Sequence, residues 1–145
     1  MKRLLLLFVL SAGPCLLSQA QTVGGLWQGK WSSPEGFVFE FVMHIDEFAD
    51  GHLTGFINWR FVAAPEDNFY YKNREGQEAV EYIEGKGPEP GEVDFEGVRK
   101  DDPLFIISLD QYHLRFNETF DAFTGSTGHH GTGLGKMEGV RIGLP

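Results

Sequence analysis

The sequence predicts an all-β fold: an antiparallel up-and-down barrel of about eight strands, with a β-sandwich as the alternative. Apolar residues alternate with polar ones over most of the chain after Gly24, which is the period of a strand with one dry face. Clusters of Gly, Pro, Asn and Asp break the alternation at short intervals, as they do in sandwiches and barrels. Several of the 19 glycines fall inside the alternating runs. Strand glycines mark bulges and bends where a closing sheet turns its corner, and this favours the barrel.

The first twenty residues, MKRLLLLFVLSAGPCLLSQA, read as a secretory signal peptide. Lys2 and Arg3 precede an apolar run from Leu4 to Leu10, Gly13 and Pro14 break it, and Ser18 and Ala20 supply small residues before Gln21. The run is far shorter than the ~20 residues of a membrane helix, so no membrane span is expected. Cys15 could be a lipoprotein acceptor, but Pro14 before it does not resemble the small residue that processing requires. Cleavage would leave one domain over residues 21–145, secreted or periplasmic. That domain has no cysteine and must stand on its apolar core alone. The full chain has 12 basic and 21 acidic residues and a net charge of −9; losing Lys2 and Arg3 makes it −11. Such a charge repels nucleic acid and anionic membrane surfaces, and neither is an expected partner.

The strands follow in order. In "LWQGKWSS", Trp27, Gly29 and Trp31 share one face and Gln28, Lys30 and Ser32 the other. After the turn signal at residues 33–36, "FVFEFVMHID" sets Phe37, Phe39, Phe41, Met43 and Ile45 against Val38, Glu40, Val42, His44 and Asp46. A helix would scatter those five apolar residues around its circumference. Asp50-Gly51 signals a tight hairpin into "HLTGFINWRF", where Leu53, Gly55, Ile57, Trp59 and Phe61 alternate with polar neighbours and Phe56. Residues 63–77 read as a long connection. "EAVEYIEGKG" and "EVDFEGVRK" flank a turn at residues 88–91. In "DDPLFIISLDQYHLRF" a turn at residues 101–103 leads to a strand containing the apolar run Leu104 to Ile107, which ends in the alternation of Tyr112, Leu114 and Phe116. Two Gly-rich strands around a turn near His129 and His130 complete the chain.

Gly25-Leu26-Trp27, in the first strand of a chain of this length, resembles the Gly-x-Trp signature of the calycins, the group that includes the lipocalins and avidins. The resemblance implies an eight-stranded barrel closed at one end by Trp27, with Arg141 of "GVRIG" packed over the indole as a cation over a ring face. The chain departs from the lipocalins in three ways. Leu109-Asp110-Gln111-Tyr112 only loosely echoes their Thr-Asp-Tyr element, no disulfide exists, and the end of the chain leaves no room for a C-terminal helix. The shorter avidin-type barrel fits better. The stretch "GVRKDDPLFIISLDQYHL" also resembles uncharacterised secreted bacterial domains.

No motif announces catalysis. Gly131-Thr132-Gly133-Leu134-Gly135-Lys136 lacks the helix that a phosphate loop must open, so its glycines read as strand bends. His129 and His130 could join His113, Asp101 or Asp102 around a metal. Adjacent residues on an extended chain point to opposite faces, however, so an exposed polar turn is the reading preferred. Glu40, Glu81, Asp94 and Glu96 lie on strands and could face a lumen, although a solvent face is the ordinary place for them. Ser32, Ser33, Ser108 and Ser126 sit in no elbow motif. Asn117-Glu118-Thr119 is a glycosylation acceptor pattern in a eukaryotic host. No metal and no cofactor is expected.

Aromatic residues recur on the strand faces, at Trp27, Trp31, Trp59, Tyr82, Phe95 and Tyr112. A small barrel is filled by its own side chains, and a ligand cavity needs the same aromatics plus a few placed polar groups. The expected ligand-binding residues are Trp59, Tyr82, Phe95, Arg99, Tyr112 and Arg115, with Trp27 and Arg141 closing the barrel and residues 63–77 as a lid or rim. The expected function is a secreted, non-enzymatic module that binds a small apolar or aromatic ligand. One alternative is a module for a protein partner, such as a secreted protease inhibitor or envelope component; another is a hydrolase or isomerase.

Overall fold

The computed structural model describes residues 22–89, 91–128 and 134–144. The segment expected to be a signal peptide and the turn expected near His129 and His130 lie outside them. The elements are β1 (Gly25–Ser32), β2 (Val38–Glu47), β3 (His52–Ala63), α1 (Phe69–Lys72), β4 (Glu78–Glu89), β5 (Glu92–Asp101), β6 (Gln111–Phe116), β7 (Ala122–Gly128) and β8 (Gly135–Gly143). Each strand pairs antiparallel with the next, and β8 returns to pair with β1, closing the barrel. The β-sandwich alternative is thereby overturned. Full closure leaves no strand with an open edge, which a two-sheet packing cannot achieve.

The predicted alternation sets what faces inward. Trp27, Phe41, Met43, Ile45, Ile57, Phe61, Leu114 and Met137 are all buried. They fill the barrel with side chains, the usual state of a barrel of this strand number. Close approach of the walls needs Gly29. A Cβ there would sit 1.9 Å from the Glu138 carbonyl oxygen and 2.6 Å from the Phe41 ring, so no side chain fits between β1, β8 and the core. At the hairpin Asp50-Gly51, Gly51 has φ 79°, the left-handed conformation that glycine adopts without cost.

One rim is shut. Trp27 meets Phe116 and Phe123 edge-on at centroid distances of 4.9 and 5.5 Å, and its Nε1–H donates to the Val23 carbonyl at 3.0 Å. The Arg141 guanidinium lies 4.3 Å from the Trp27 ring centroid. It also donates to the carbonyls of Phe120 (2.7 Å), Gly24 (2.6 Å) and Thr22 (2.6 Å). Nearby, the Asn117 side chain organises the β6–β7 turn. Its Oδ1 accepts from the N–H groups of Asp121 and Ala122, and its Nδ2 donates to Asp121.

The structure corrects the strand expected through Leu104 to Ile107. These residues belong to a loop, and β6 begins only at Gln111. Asp102 is the cause: its carboxylate accepts from the N–H groups of Ile106 (2.9 Å) and Ile107 (3.0 Å) and from Lys100 Nζ (3.1 Å). Those backbone donors are thus taken by a side chain before a ladder can use them. The loop curls over the open rim, buries Ile106 and leaves Phe105 exposed with φ 55°.

Candidate functional site

Several segments meet at the open rim: the ends of β1, β3 and β6, the residues leading into β2, the connection that carries α1, and the Asp102 loop. Together they shape a cup of about 200 Å³, bordered by Trp31, Phe37, Phe39, Trp59, Tyr71 and Ile107, with Glu81, Asp110 and Tyr112 at its base. The aromatic walls brace one another. Trp31 and Trp59 each meet Phe39 edge-on, at 5.6 and 6.0 Å, and Phe37 meets Tyr71 at 5.2 Å. Trp31 is further pinned by its Nε1–H donating to Thr127 Oγ1 at 2.8 Å. Tyr71 arrives on the short helix α1, whose first turn is capped by the side chain of Asn68. The Arg74 guanidinium stacks 3.8 Å from the Tyr70 ring and donates to the Leu104 carbonyl, tying the two rim loops together.

Glu81 is the unexpected member. It sits on β4 between inward-facing Ala79 and Ile83 and is 0% exposed. Its Oε2 accepts from Trp59 Nε1–H (3.0 Å) and from the Tyr112 hydroxyl (2.5 Å), and its Oε1 accepts from the Asp110 backbone N–H (3.2 Å). Burial pushes the carboxyl up to about 7 against the lowering effect of these three bonds, with the charge of Asp110 adding to the rise. Burial also pushes the Tyr112 phenol well above its ordinary range, helped by Glu81's charge and hydrogen bond, so Tyr112 remains a donor.

Room for the carboxyl comes from a bulge. The β4–β5 register runs from Tyr82↔Arg99 to Ile83↔Gly97, which leaves Val98 as an extra residue. Gly97 then faces Glu81, where a Cβ would sit 1.9 Å from Oε1. Its own N–H donates to the Asp110 carbonyl at 2.8 Å, anchoring the end of the loop whose N–H reaches the same carboxylate.

The six sequence-predicted ligand residues divide evenly between the two sides of the wall. Trp59 and Tyr112 border the cup, and Phe95 is buried behind them, stacked on Tyr112 at 4.7 Å. Tyr82, Arg99 and Arg115 stand on the outer wall and cannot line the interior. Arg99 stacks 3.7 Å over Tyr82 there, and Arg115 is paired with Glu92 at 2.7 Å. Strict alternation from Phe95 would have turned Arg99 inward; the extra residue Val98 reverses it. Tyr82 and Arg115 follow ordinary parity, opposite Glu81 and Leu114. Of the histidine and aspartate candidates for a metal, Asp102 is committed to its loop and His113 to Asp94, at 2.6 Å. Among the described residues no three His, Cys, Asp or Glu side chains converge as a metal set, and no helix is long and apolar enough to cross a membrane.

No family model matches the chain, and neither does any curated protein. Similar solved structures are designed barrels. A de novo designed fluorescence-activating β-barrel is 13% identical, with a TM-score of 0.58, over 82% of this chain and 93% of that one. The redesigned barrels mFAP1 and mFAP0, each bound to DFHBI, are 12% identical with TM-scores of 0.61 and 0.59. These alignments cover 82% of this chain and 94% and 98% of theirs. At such identities the likeness is one of fold: a closed, eight-stranded antiparallel barrel.

Proposed function

We propose that the protein is a secreted or periplasmic binding module, calycin-like in architecture, that holds a small aromatic or apolar molecule in the cup at its open rim. The observation that carries this reading is the convergence of five aromatic side chains, Trp31, Phe37, Phe39, Trp59 and Tyr71, around one cavity above an otherwise filled barrel. Small-molecule sites combine apolar walls with a few placed polar groups, and Glu81, Tyr112 and Asp110 supply those at the base. A volume of about 200 Å³ suits a molecule of one or two rings and is too small for haem. The DFHBI complexes of the designed barrels lend support, because they show that a barrel of this architecture can hold a small ligand.

Two of the chain's three tryptophans wall the cup, so intrinsic fluorescence reports occupancy. Titration with one- and two-ring aromatics, fatty acids, retinoids, haem and biotin should shift or quench the emission with the ring-sized compounds and not with haem. Silence across the whole panel would remove the reading. Export is tested separately: the intact mass of protein recovered outside the cytoplasm should correspond to a chain starting at Gln21.

A further inference from the structure

The walls and base of the cup differ in chemistry, and the difference narrows the ligand class if the cup is the binding site. The walls are π faces, which carry partial negative charge. All three groups bonded to Glu81 donate to it: an indole N–H, a phenol O–H and a backbone N–H. An acceptor ringed by donors is arranged for the ionised carboxylate. None of those three donors nevertheless carries a positive charge. Lys100 stands opposite Glu81 in the β4–β5 register, but its Nζ turns to Asp102 (3.1 Å) and to the Ile107 carbonyl (2.5 Å). Arg74, on the rim, is held by Leu104 and Tyr70. Among the described residues no Lys, Arg or His forms an ion pair with Glu81. Asp110, which also borders the cup, adds a second carboxylate.

We propose that the cup selects a small aromatic molecule bearing a protonated amine, its ring between the aromatic walls and its ammonium directed towards Glu81 and Asp110. Both halves of the site then favour the same ligand. A cation is attracted by aromatic faces, and a carboxylate acts on it strongly where burial weakens screening. Fatty acids and other anions meet the reverse, since their carboxylate would approach two of like sign.

Burial accounts for the state of Glu81 in the free protein. Three hydrogen bonds do not offset burial, so the group titrates near neutrality. An ammonium in the cup supplies a positive charge and favours the ionised form. Binding at pH 6.5 should therefore expel a fraction of a proton to solvent, and binding at pH 8.5 none, because Glu81 is already ionised there.

Calorimetric titration of the full chain with phenethylamine, 2-phenylethanol and phenylacetate tests this, because the three share a ring and differ in charge. The amine should bind about tenfold more tightly than the alcohol at pH 8, and phenylacetate more weakly than either. Runs at pH 6.5 in two buffers of different ionisation enthalpy should reveal proton release, which vanishes at pH 8.5. Glu81→Gln should bring amine and alcohol close to parity and abolish the release. The wild-type comparisons stand without the variant should it fold poorly. Equal affinity for amine and alcohol, or release that is the same at both pH values, overturns amine selection while leaving the cup an apolar site. Failure of all three compounds to bind overturns the cup reading itself.

Discussion

Arg141, near the end of β8, places its guanidinium 4.3 Å from the centroid of Trp27, near the start of β1, and donates to three backbone carbonyls around that ring. One side chain thus joins the first strand, the last strand and the Phe120 turn at the closed rim. Arg141→Ala strips three carbonyls of a charged donor as well as the cation over the indole. It should lower unfolding free energy by about 2 to 3 kcal/mol in urea. Arg141→Lys keeps the charge but lacks the planar fork, and should recover less than half of that. A loss below about 0.5 kcal/mol for the alanine variant would show that the clamp contributes little.

Glu81 gives stability a pH dependence of unusual sign. Its carboxyl is raised from 4.5 to about 7 in the folded chain, so between those values the native state binds the proton more tightly than the unfolded one. Its contribution is fully present below about pH 4.5 and is lost as pH rises through 7. The loss is on the order of 3 kcal/mol. Stability curves of wild type and Glu81→Gln should therefore diverge across this window, the wild type declining relative to the variant as pH rises. Parallel curves from pH 5 to 8 would mean that the carboxyl is not perturbed in this direction.

The rim loop hangs on Asp102. Burial alone would raise its carboxyl, but the N–H groups of Ile106 and Ile107 and the Lys100 ammonium together hold it below the usual range. In Asp102→Asn one accepting oxygen becomes an NH₂ that faces a donor. The variant should lose about 2 kcal/mol of local stability. Hydrogen exchange should speed up at the Ile106 and Ile107 amides while the strand amides of β1 to β3 keep their protection. Unchanged exchange at those two amides would show that packing of Ile106, not the carboxylate, shapes the loop.

Much of the barrel was legible in the sequence, because the interior is built by parity. The alternation through Phe39, Phe41, Met43 and Ile45, and through Leu53, Ile57, Trp59 and Phe61, reports directly which side is dry. The packing of Arg141 over Trp27 was legible only through the resemblance that Gly25-Leu26-Trp27 carries. The site was less readable for three local reasons. On β4 the inward Glu81 is more polar than its outward neighbours Val80 and Tyr82, so the hydrophobic signal points the wrong way. Val98 reverses parity in mid-strand without any sequence mark beyond the glycine before it. The run Leu104 to Ile107 has strand composition, yet the side chain of Asp102 claims its backbone donors. Only the parity of Glu81 with Ala79 and Ile83 could have disclosed the base of the cup.

Leu26 pairs with Gly143, so the outermost strands leave the barrel side by side at the Trp27 end. A strand of eight residues spans roughly 20 Å along a tilted barrel axis, and that length separates this exit from the aromatic mouth. A tag, carrier or solid support joined to either terminal strand therefore sits on the far pole. Immobilised molecules would present their mouths outward without further engineering.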